Sequence, residues 1–135
     1  MPGPPTTAEL VWTRDLQFEA RSGQTSLTID SRGVAGPSPI DALAFALAGC
    51  MAVDVVDILT KGRHALGALS AELAAERAPE PPRRFLTVQL HFRVTGDVPE
   101  AAVERAIQLS RDRYCSVWHT LRQDIAFTTT FEVRR

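Results

Sequence analysis

One segment, residues 38–61, constrains this chain more than any other stretch. Ser38 suits an N-cap, Pro39 suits the first helical position, and Gly62 supplies a stop. The residues between these signals predict a helix roughly 35 Å long. No residue within 42–53 is charged, and a helix that is apolar on every side normally lies inside a structure. The segment therefore predicts a long, buried, central helix.

The chain is short for so long an apolar helix, which favours a partner subunit. The 135 residues suit one domain, residues 1–135, in which residues 1–7 form a flexible lead-in. So small a domain has little surface with which to enclose a helix that is apolar all round, so a second subunit is expected to cover part of it. The uncharged run is shorter than the about 20 apolar residues of a membrane span, and no membrane partner is predicted.

Charge and leader signals exclude two further classes of protein. The formal net charge is −1, so the basic surface typical of nucleic-acid-binding proteins is missing and no nucleic-acid partner is predicted. The N-terminal residues lack the basic and apolar regions of a secretory signal, which predicts a cytoplasmic protein. The two cysteines are then expected to be thiols at rest, with any disulfide transient or catalytic.

Alternating apolar residues predict strands on both sides of the central helix. Residues 8–20 predict an interrupted strand, and residues 25–30 predict a hairpin-like strand after it. Residues 66–77 have the composition of a helix, yet they precede a proline turn and the clearest strand, residues 84–95, which favours a partner strand. Residues 125–133 predict a closing strand.

Helices are predicted between the last two strands. Pro99 opens an amphipathic helix that runs to about Arg113, and residues 114–123 predict a second helical piece. Strands, helix, strands, helices and strand in this order predict an α+β domain with an antiparallel sheet wrapped around the long central helix.

The two cysteines are the candidates for chemistry. Cys50 lies near the middle of the central helix, where a cysteine is most often a small core residue. Cys115 lies near the start of the second helical piece, beside Arg111 and Arg113, and a helix dipole and cations both lower the pKa of a thiol. Burial is the alternative for each. The residues alone predict one buried thiol and one helix-start thiol.

No metal site or cofactor is predicted. The three histidines are scattered, and neither CxxC nor HExxH occurs. Cys115 and His119 are spaced as helical neighbours, but no further cluster of ligands lies nearby. No phosphate-binding loop or G-x-S-x-G motif occurs. Asp54 and Asp57 are expected to mark the exposed end of the central helix.

Three segments nonetheless resemble one protein family. They are GPSPIDALAFALAGCMAVDVVDILTKGR, ERAPEPPRRFLTVQLHFRVTG and AIQLSRDRYCSVWHTL. Together they are similar to the OsmC/Ohr family, and to its OsmC-like branch more than to its organic hydroperoxide resistance branch. The resemblance covers essentially residues 9–134. It implies an α+β OsmC-like fold in an intertwined homodimer, with two long central helices enclosed by sheets and each active site at the subunit interface.

The resemblance also implies a reaction. Cys50 takes the peroxidatic role, in which its thiolate attacks an organic hydroperoxide and becomes a sulfenic acid. Cys115 takes the resolving role and condenses with that acid to a disulfide. A dithiol reductant then restores both thiols. The implied protein is a cytoplasmic, thiol-dependent peroxidase, an antioxidant enzyme of the stress response without cofactor or metal.

The first turn of the central helix departs from the peroxidase pattern. Members of the hydroperoxide resistance branch carry a glutamate after the helix-start proline, paired with an N-terminal arginine that activates the thiolate. Here that residue is Ile40. Asp41 is one step along and lies roughly 13 Å from Cys50 on an unbroken helix. Arg14 does not fall cleanly on the arginine position, which leaves Arg83 and Arg84 as alternative cations.

Two hypotheses about function follow. The first is the peroxidase, and it predicts that Cys115 packs beside Cys50, close enough for a disulfide. Its pocket would be apolar, with Trp118 on its wall, and would favour alkyl hydroperoxides over hydrogen peroxide. The second, favoured by Ile40, is a non-enzymatic OsmC-like dimer that binds an apolar ligand or acts as a redox sensor.

Overall fold

Residues 3–135, which the computed structural model describes, form six β-strands, three α-helices and one π-helical turn. In chain order the elements are β1 (Glu9–Arg14), β2 (Gln17–Ser22), β3 (Thr25–Asp30), α1 (Pro39–Lys61), β4 (Ala65–Arg77), β5 (Phe85–Asp97), α2 (Glu100–Leu109), the π turn (Ser110–Tyr114), α3 (Ser116–Thr120) and β6 (Ala126–Arg134).

Contacts within the chain divide these elements between two compact units. The first unit ends at Phe45 and the second is Ala46–Arg135. That residues 1–135 act as a single domain stays a prediction. The predicted lead-in falls partly on residues 1 and 2, which lie outside the described residues; residues 3–7 are exposed and have no regular secondary structure.

The first unit contains an antiparallel sheet in the order β1–β2–β3. The strand predicted over residues 8–20 is therefore two strands, joined by a turn in which Asp15 has a φ of 46°. Cross-strand partners share a face of the sheet, and Trp12 pairs with Phe18, which pairs with Ile29. This face is apolar, yet Trp12 is 65% exposed. None of the apolar side chains of this sheet is buried.

A buried carboxylate organises the loop between β3 and α1. Asp30 accepts hydrogen bonds from the main-chain N–H groups of Arg32 (2.9 Å), Val34 (3.2 Å) and Ala35 (2.9 Å). These bonds, that from Ala35 foremost, hold the pKa of Asp30 below its usual value. The side chain of Asp30 thus fixes the conformation of the loop that precedes α1.

Helix α1 has the bounds that the capping signals predicted. The Ser38 hydroxyl accepts the main-chain N–H of Asp41 at 3.2 Å, and the helix ends at Lys61 before Gly62. Its burial differs from the prediction, because only one stripe is buried, consisting of Leu47, Met51, Val55 and Leu59. The opposite face leaves Phe45 and Val53 each 68% exposed. Within a single chain, the central helix therefore has an uncovered apolar face.

The whole of α1 is longer than the uncharged run that the sequence singled out. By length and composition alone, Pro39–Lys61 could cross a membrane. A core helix of a soluble protein meets the same test. A stripe along α1 is buried against the rest of its own chain, but only 22% of the apolar stretch is buried in total, so the interpretation as a core helix stays a prediction.

The second sheet, in the order β4–β5–β6, forms most of the second unit. Strand β4 pairs antiparallel with β5, which confirms the strand chosen for residues 66–77. Strand β6 runs parallel to β5, so the prediction of a wholly antiparallel sheet is wrong at this pair. The reason is the crossover through α2 and α3, a connection that parallel strands require. Alternate residues of β5 enter the core, namely Val88, Leu90, Phe92 and Val94.

The helical crossover is less regular than predicted. Helix α2 buries Val103, Ala106 and Ile107, then passes into the π turn instead of continuing as an α-helix to Arg113. The piece predicted over residues 114–123 reduces to the five residues of α3. Cys115 lies between the π turn and α3 as the N-cap of α3.

Candidate active site

The fold of the second unit brings the two cysteines together. Cys50 lies in the middle of α1 and Cys115 lies at the N-cap of α3. Both are free thiols, and they lie close enough for Cys50 to raise the pKa of Cys115. The structure thus brings the two cysteines near each other, and a separation that permits a disulfide stays a prediction. The peroxidatic and resolving roles of the two residues stay predictions.

Burial of the two thiols is the reverse of what the sequence predicted. Cys115 is fully buried and Cys50 is half-buried. Burial, the largest cause, raises the pKa of Cys115 to about 11, and the neighbouring Cys50 raises it further, against a hydrogen bond from the main-chain N–H of Trp118. The predicted lowering of this pKa is wrong because the cost of burying a thiolate outweighs the donor at the start of a short helix.

The arginines that flank Cys115 in sequence have other partners. The Arg111 guanidinium lies 4.9 Å from the ring centroid of Phe127, and that of Arg113 lies 5.5 Å from the ring centroid of Tyr114. Both are cation–π contacts. Neither arginine is among the groups that shift the pKa of Cys115.

Hydrogen bonds fix the backbone on either side of Cys115. Its main-chain N–H donates to the carbonyl of Ser110 at 2.8 Å, and its carbonyl accepts the N–H of His119 at 3.1 Å. The His119 Nε2–H donates to the carbonyl of Arg111 at 2.9 Å. His119, which the sequence placed one helical turn from Cys115, thus ties α3 back to the π turn.

Sequence analysis missed the role of Asp54. The structure places Asp57 at the exposed end of α1 with Lys61, 2.9 Å away, but Asp54 is half-buried and accepts a hydrogen bond of 2.7 Å from the hydroxyl of Ser110. One signal could have found it. Residues four apart share a helix face, so Asp54 lies on the face of Cys50.

Trp118 contributes to the surroundings of Cys115 mainly through its backbone. Its N–H lies 3.4 Å from the Cys115 sulfur, while its buried ring packs on Phe127 with centroids 4.6 Å apart. The cleft beside this ring is lined by mostly polar residues, namely Arg111, Asp112, His119, Gln123 and Ile125. An apolar substrate pocket with Trp118 on its wall stays a prediction.

Comparison with known proteins gives the family. A family model described as OsmC-like protein matches residues 30–130. The chain belongs to the OsmC-like family. Protein YhfA of Escherichia coli (strain K12) is 41% identical to this OsmC-like chain over 129 residues, which cover 93% of this chain and 96% of YhfA.

Two solved structures have the same fold. A hypothetical protein from Aquifex aeolicus VF5 matches with a TM-score of 0.90 at 24% identity, over 98% of each chain. An organic hydroperoxide resistance protein OsmC from Legionella pneumophila matches with a TM-score of 0.72 at 16% identity, over 98% of this chain and all of the other. At these identities the likeness concerns the fold alone. The predicted α+β, OsmC-like fold is confirmed.

The residues considered as activators of the Cys50 thiolate lie in the first turn of α1 and just before β5. Ile40 is half-buried and Asp41 is exposed in the first turn of α1. Arg84 lies 4.0 Å from the carboxylate of Asp124 and donates to the carbonyl of Phe85 at 3.1 Å. Arg84 thus has partners of its own, and activation of Cys50 by a cation stays a prediction.

Proposed function

We propose that this protein is a thiol-dependent peroxidase that reduces organic hydroperoxides. The observation that carries the proposal is the proximity of Cys50 and Cys115, since Cys50 raises the pKa of Cys115 although the two thiols lie far apart in the chain. Family membership adds a class of substrate to test, because the Legionella protein of the same fold is an organic hydroperoxide resistance protein.

Exposure supports the assignment of roles. Cys50 is half-buried and accessible to a small substrate, whereas Cys115 is fully buried and, with a pKa of about 11, protonated at neutral pH. The Cys50 thiolate attacks the terminal oxygen of the hydroperoxide. The O–O bond breaks, the alkoxide takes a proton and leaves as an alcohol, and Cys50 becomes a sulfenic acid, oxidised by two electrons.

Resolution uses the neighbouring thiol. The sulfur of Cys115 attacks the sulfur of the sulfenic acid, the S–O bond breaks, and the hydroxyl leaves as water with the thiol proton of Cys115. A dithiol reductant opens the resulting disulfide by exchange, is itself oxidised to a disulfide, and restores both thiols. A cytoplasmic location would supply such a reductant.

A homodimer is part of the proposal. The apolar face of α1, with Phe45 and Val53, is uncovered in the single chain, as is the apolar face of the first sheet around Trp12. Monomeric proteins rarely expose such patches. A second copy of the chain, with its own two apolar faces, would cover both.

The test is consumption of an organic hydroperoxide such as cumene hydroperoxide by the reduced protein in the presence of dithiothreitol. We expect turnover by the wild type, faster than with hydrogen peroxide. Cys50→Ser should abolish it while the protein stays folded by circular dichroism. Wild-type turnover in Cys50→Ser would rule out the mechanism.

Ile40 favours a second candidate, a dimer that binds an apolar ligand or senses oxidants. By resemblance, a peroxidase of the hydroperoxide resistance branch has a glutamate at this position. Under this alternative, the protein would consume cumene hydroperoxide in the presence of dithiothreitol no faster than Cys50→Ser does. An apolar fluorescent probe would bind and be displaced by a ligand of the same class.

A further inference from the structure

A half-buried acidic residue lies one helical turn from Cys50. Asp54 follows Cys50 by four positions in α1, so the two side chains emerge from the same face. The Asp54 carboxylate accepts the hydroxyl proton of Ser110 at 2.7 Å, and Ser110 is fully buried. This bond connects α1 to the first residue of the π turn.

The same serine also holds the backbone of Cys115. The Ser110 carbonyl accepts the main-chain N–H of Cys115 at 2.8 Å, the bond that closes the π turn. A continuous path therefore runs from Cys50 along α1 to Asp54, across to Ser110, and through the π turn to Cys115. Its two ends are close, because Cys50 raises the pKa of Cys115. Single-turn π segments often occur at functional sites.

We propose that Asp54, acting through Ser110, is a positioning residue that holds the sulfur of Cys115 against that of Cys50. The inference rests on the proposed function in that it treats the two cysteines as a redox pair. A hydrogen bond to a charged acceptor is stronger than a neutral one, and its loss would strand a buried hydroxyl. Without the bond between Asp54 and Ser110, the π turn could separate from α1, and the two sulfurs would meet less often.

The pairing can be measured without any peroxide. The reduced protein reacts with glutathione disulfide to give the Cys50–Cys115 disulfide and two molecules of glutathione, a balanced two-electron exchange. Its equilibrium constant reports how well the fold holds the two sulfurs together. We expect Asp54→Ala and Ser110→Ala each to lower this constant about tenfold, the effect of losing one charge-assisted hydrogen bond.

Three further variants separate positioning from general destabilisation. Asp54→Asn keeps a carbonyl oxygen that can accept the serine proton, and should stay within about twofold of the wild type. Asp57→Ala makes the same change one turn further along α1, at an exposed residue that pairs with Lys61, and should leave the constant unchanged. The double variant Asp54→Ala with Ser110→Ala should be no worse than either single variant, because both remove one bond.

A kinetic readout completes the test. Trapping of the Cys50 sulfenic acid by dimedone should show that its formation is as fast in Ser110→Ala as in the wild type, while its condensation with Cys115 is about tenfold slower. Wild-type values for both the equilibrium constant and the condensation rate in Ser110→Ala would overturn the inference. If the wild type itself forms no Cys50–Cys115 disulfide, the proposed function fails instead.

Discussion

The fully buried thiol of Cys115 lies near the half-buried thiol of Cys50, which helps to raise its pKa. Two neighbouring cysteines of unequal exposure fit the proposed sequence of two steps, in which the accessible sulfur meets an outside oxidant and the buried sulfur meets only its neighbour. Under that proposal, a Cys115 thiol that is protonated at neutral pH would not compete for the first step, because the thiolate is the nucleophile.

Replacement of Cys115 should separate these two steps. In Cys115→Ser, Cys50 is expected to reach the sulfenic acid and stop, because its resolving thiol is gone. Intact mass spectrometry should then show Cys50 as a sulfenic acid, with one added oxygen, that reacts with dimedone. Excess peroxide should oxidise this sulfenic acid to species with two and three added oxygens. The control is Ser116→Ala at the next, exposed position, which should form the disulfide like the wild type. Accumulation of the same dimedone-reactive sulfenic acid in the wild type would mean that Cys115 does not resolve Cys50.

The uncovered face of α1 should carry the dimer contact. We expect the wild type to have the mass of two chains by light scattering, and Val53→Asp to shift it to one chain or to unfold it, because a charge would be buried in an apolar contact. Val34→Asp introduces the same charge at a loop residue that is 85% exposed, and should leave the mass unchanged. A stable, folded wild-type monomer at micromolar concentration would contradict the dimer.

The buried Cys115 thiol should make stability fall in alkali. Its pKa is raised from 9.0 to about 11, so the folded state retains the proton that the unfolded state releases. This contribution is fully present below about pH 9 and is lost as the pH rises towards about 11. We expect the free energy of unfolding of the reduced wild type to fall by on the order of 2 kcal/mol more than that of Cys115→Ala over this range. Urea titrations that run parallel for the two proteins would contradict the burial of this thiol.

Asp30 should make the loop before α1 sensitive to acid. Its pKa lies below the usual 3.8, so its stabilising effect is complete at neutral pH and is lost as the pH falls below about 3.8 towards the folded-state pKa. Asp30→Asn replaces one acceptor oxygen with a donor amide facing main-chain N–H groups. The Asp30→Asn variant should melt at a lower temperature than the wild type at neutral pH, and its melting temperature should depend less on acid. The control Asp15→Asn, at an exposed turn residue, should change neither the melting temperature nor its dependence on acid. Equal melting curves for the two variants would show that the hydrogen bonds of Asp30 add no stability.

Much of the fold could be predicted because its signals are local. The bounds of α1 follow from Ser38 and Gly62, which act on the residues next to them. The core side of β5 follows from the alternation of its own side chains. The family follows from motifs around Cys50 and Cys115 that can be read without coordinates.

What only the tertiary structure decided depends on groups that lie far apart in the chain. The parallel pairing of β6 with β5 depends on the path of the crossover, and the burial of Cys115 depends on which elements cover it. The pKa of that thiol followed burial rather than its arginine neighbours in sequence, because the cost of desolvating a charge is set by everything that surrounds it. The bond between Asp54 and Ser110 likewise exists only because folding brings α1 to the π turn. Sequence determined which residues were available for chemistry, and the packing of distant segments determined their partners and their protonation.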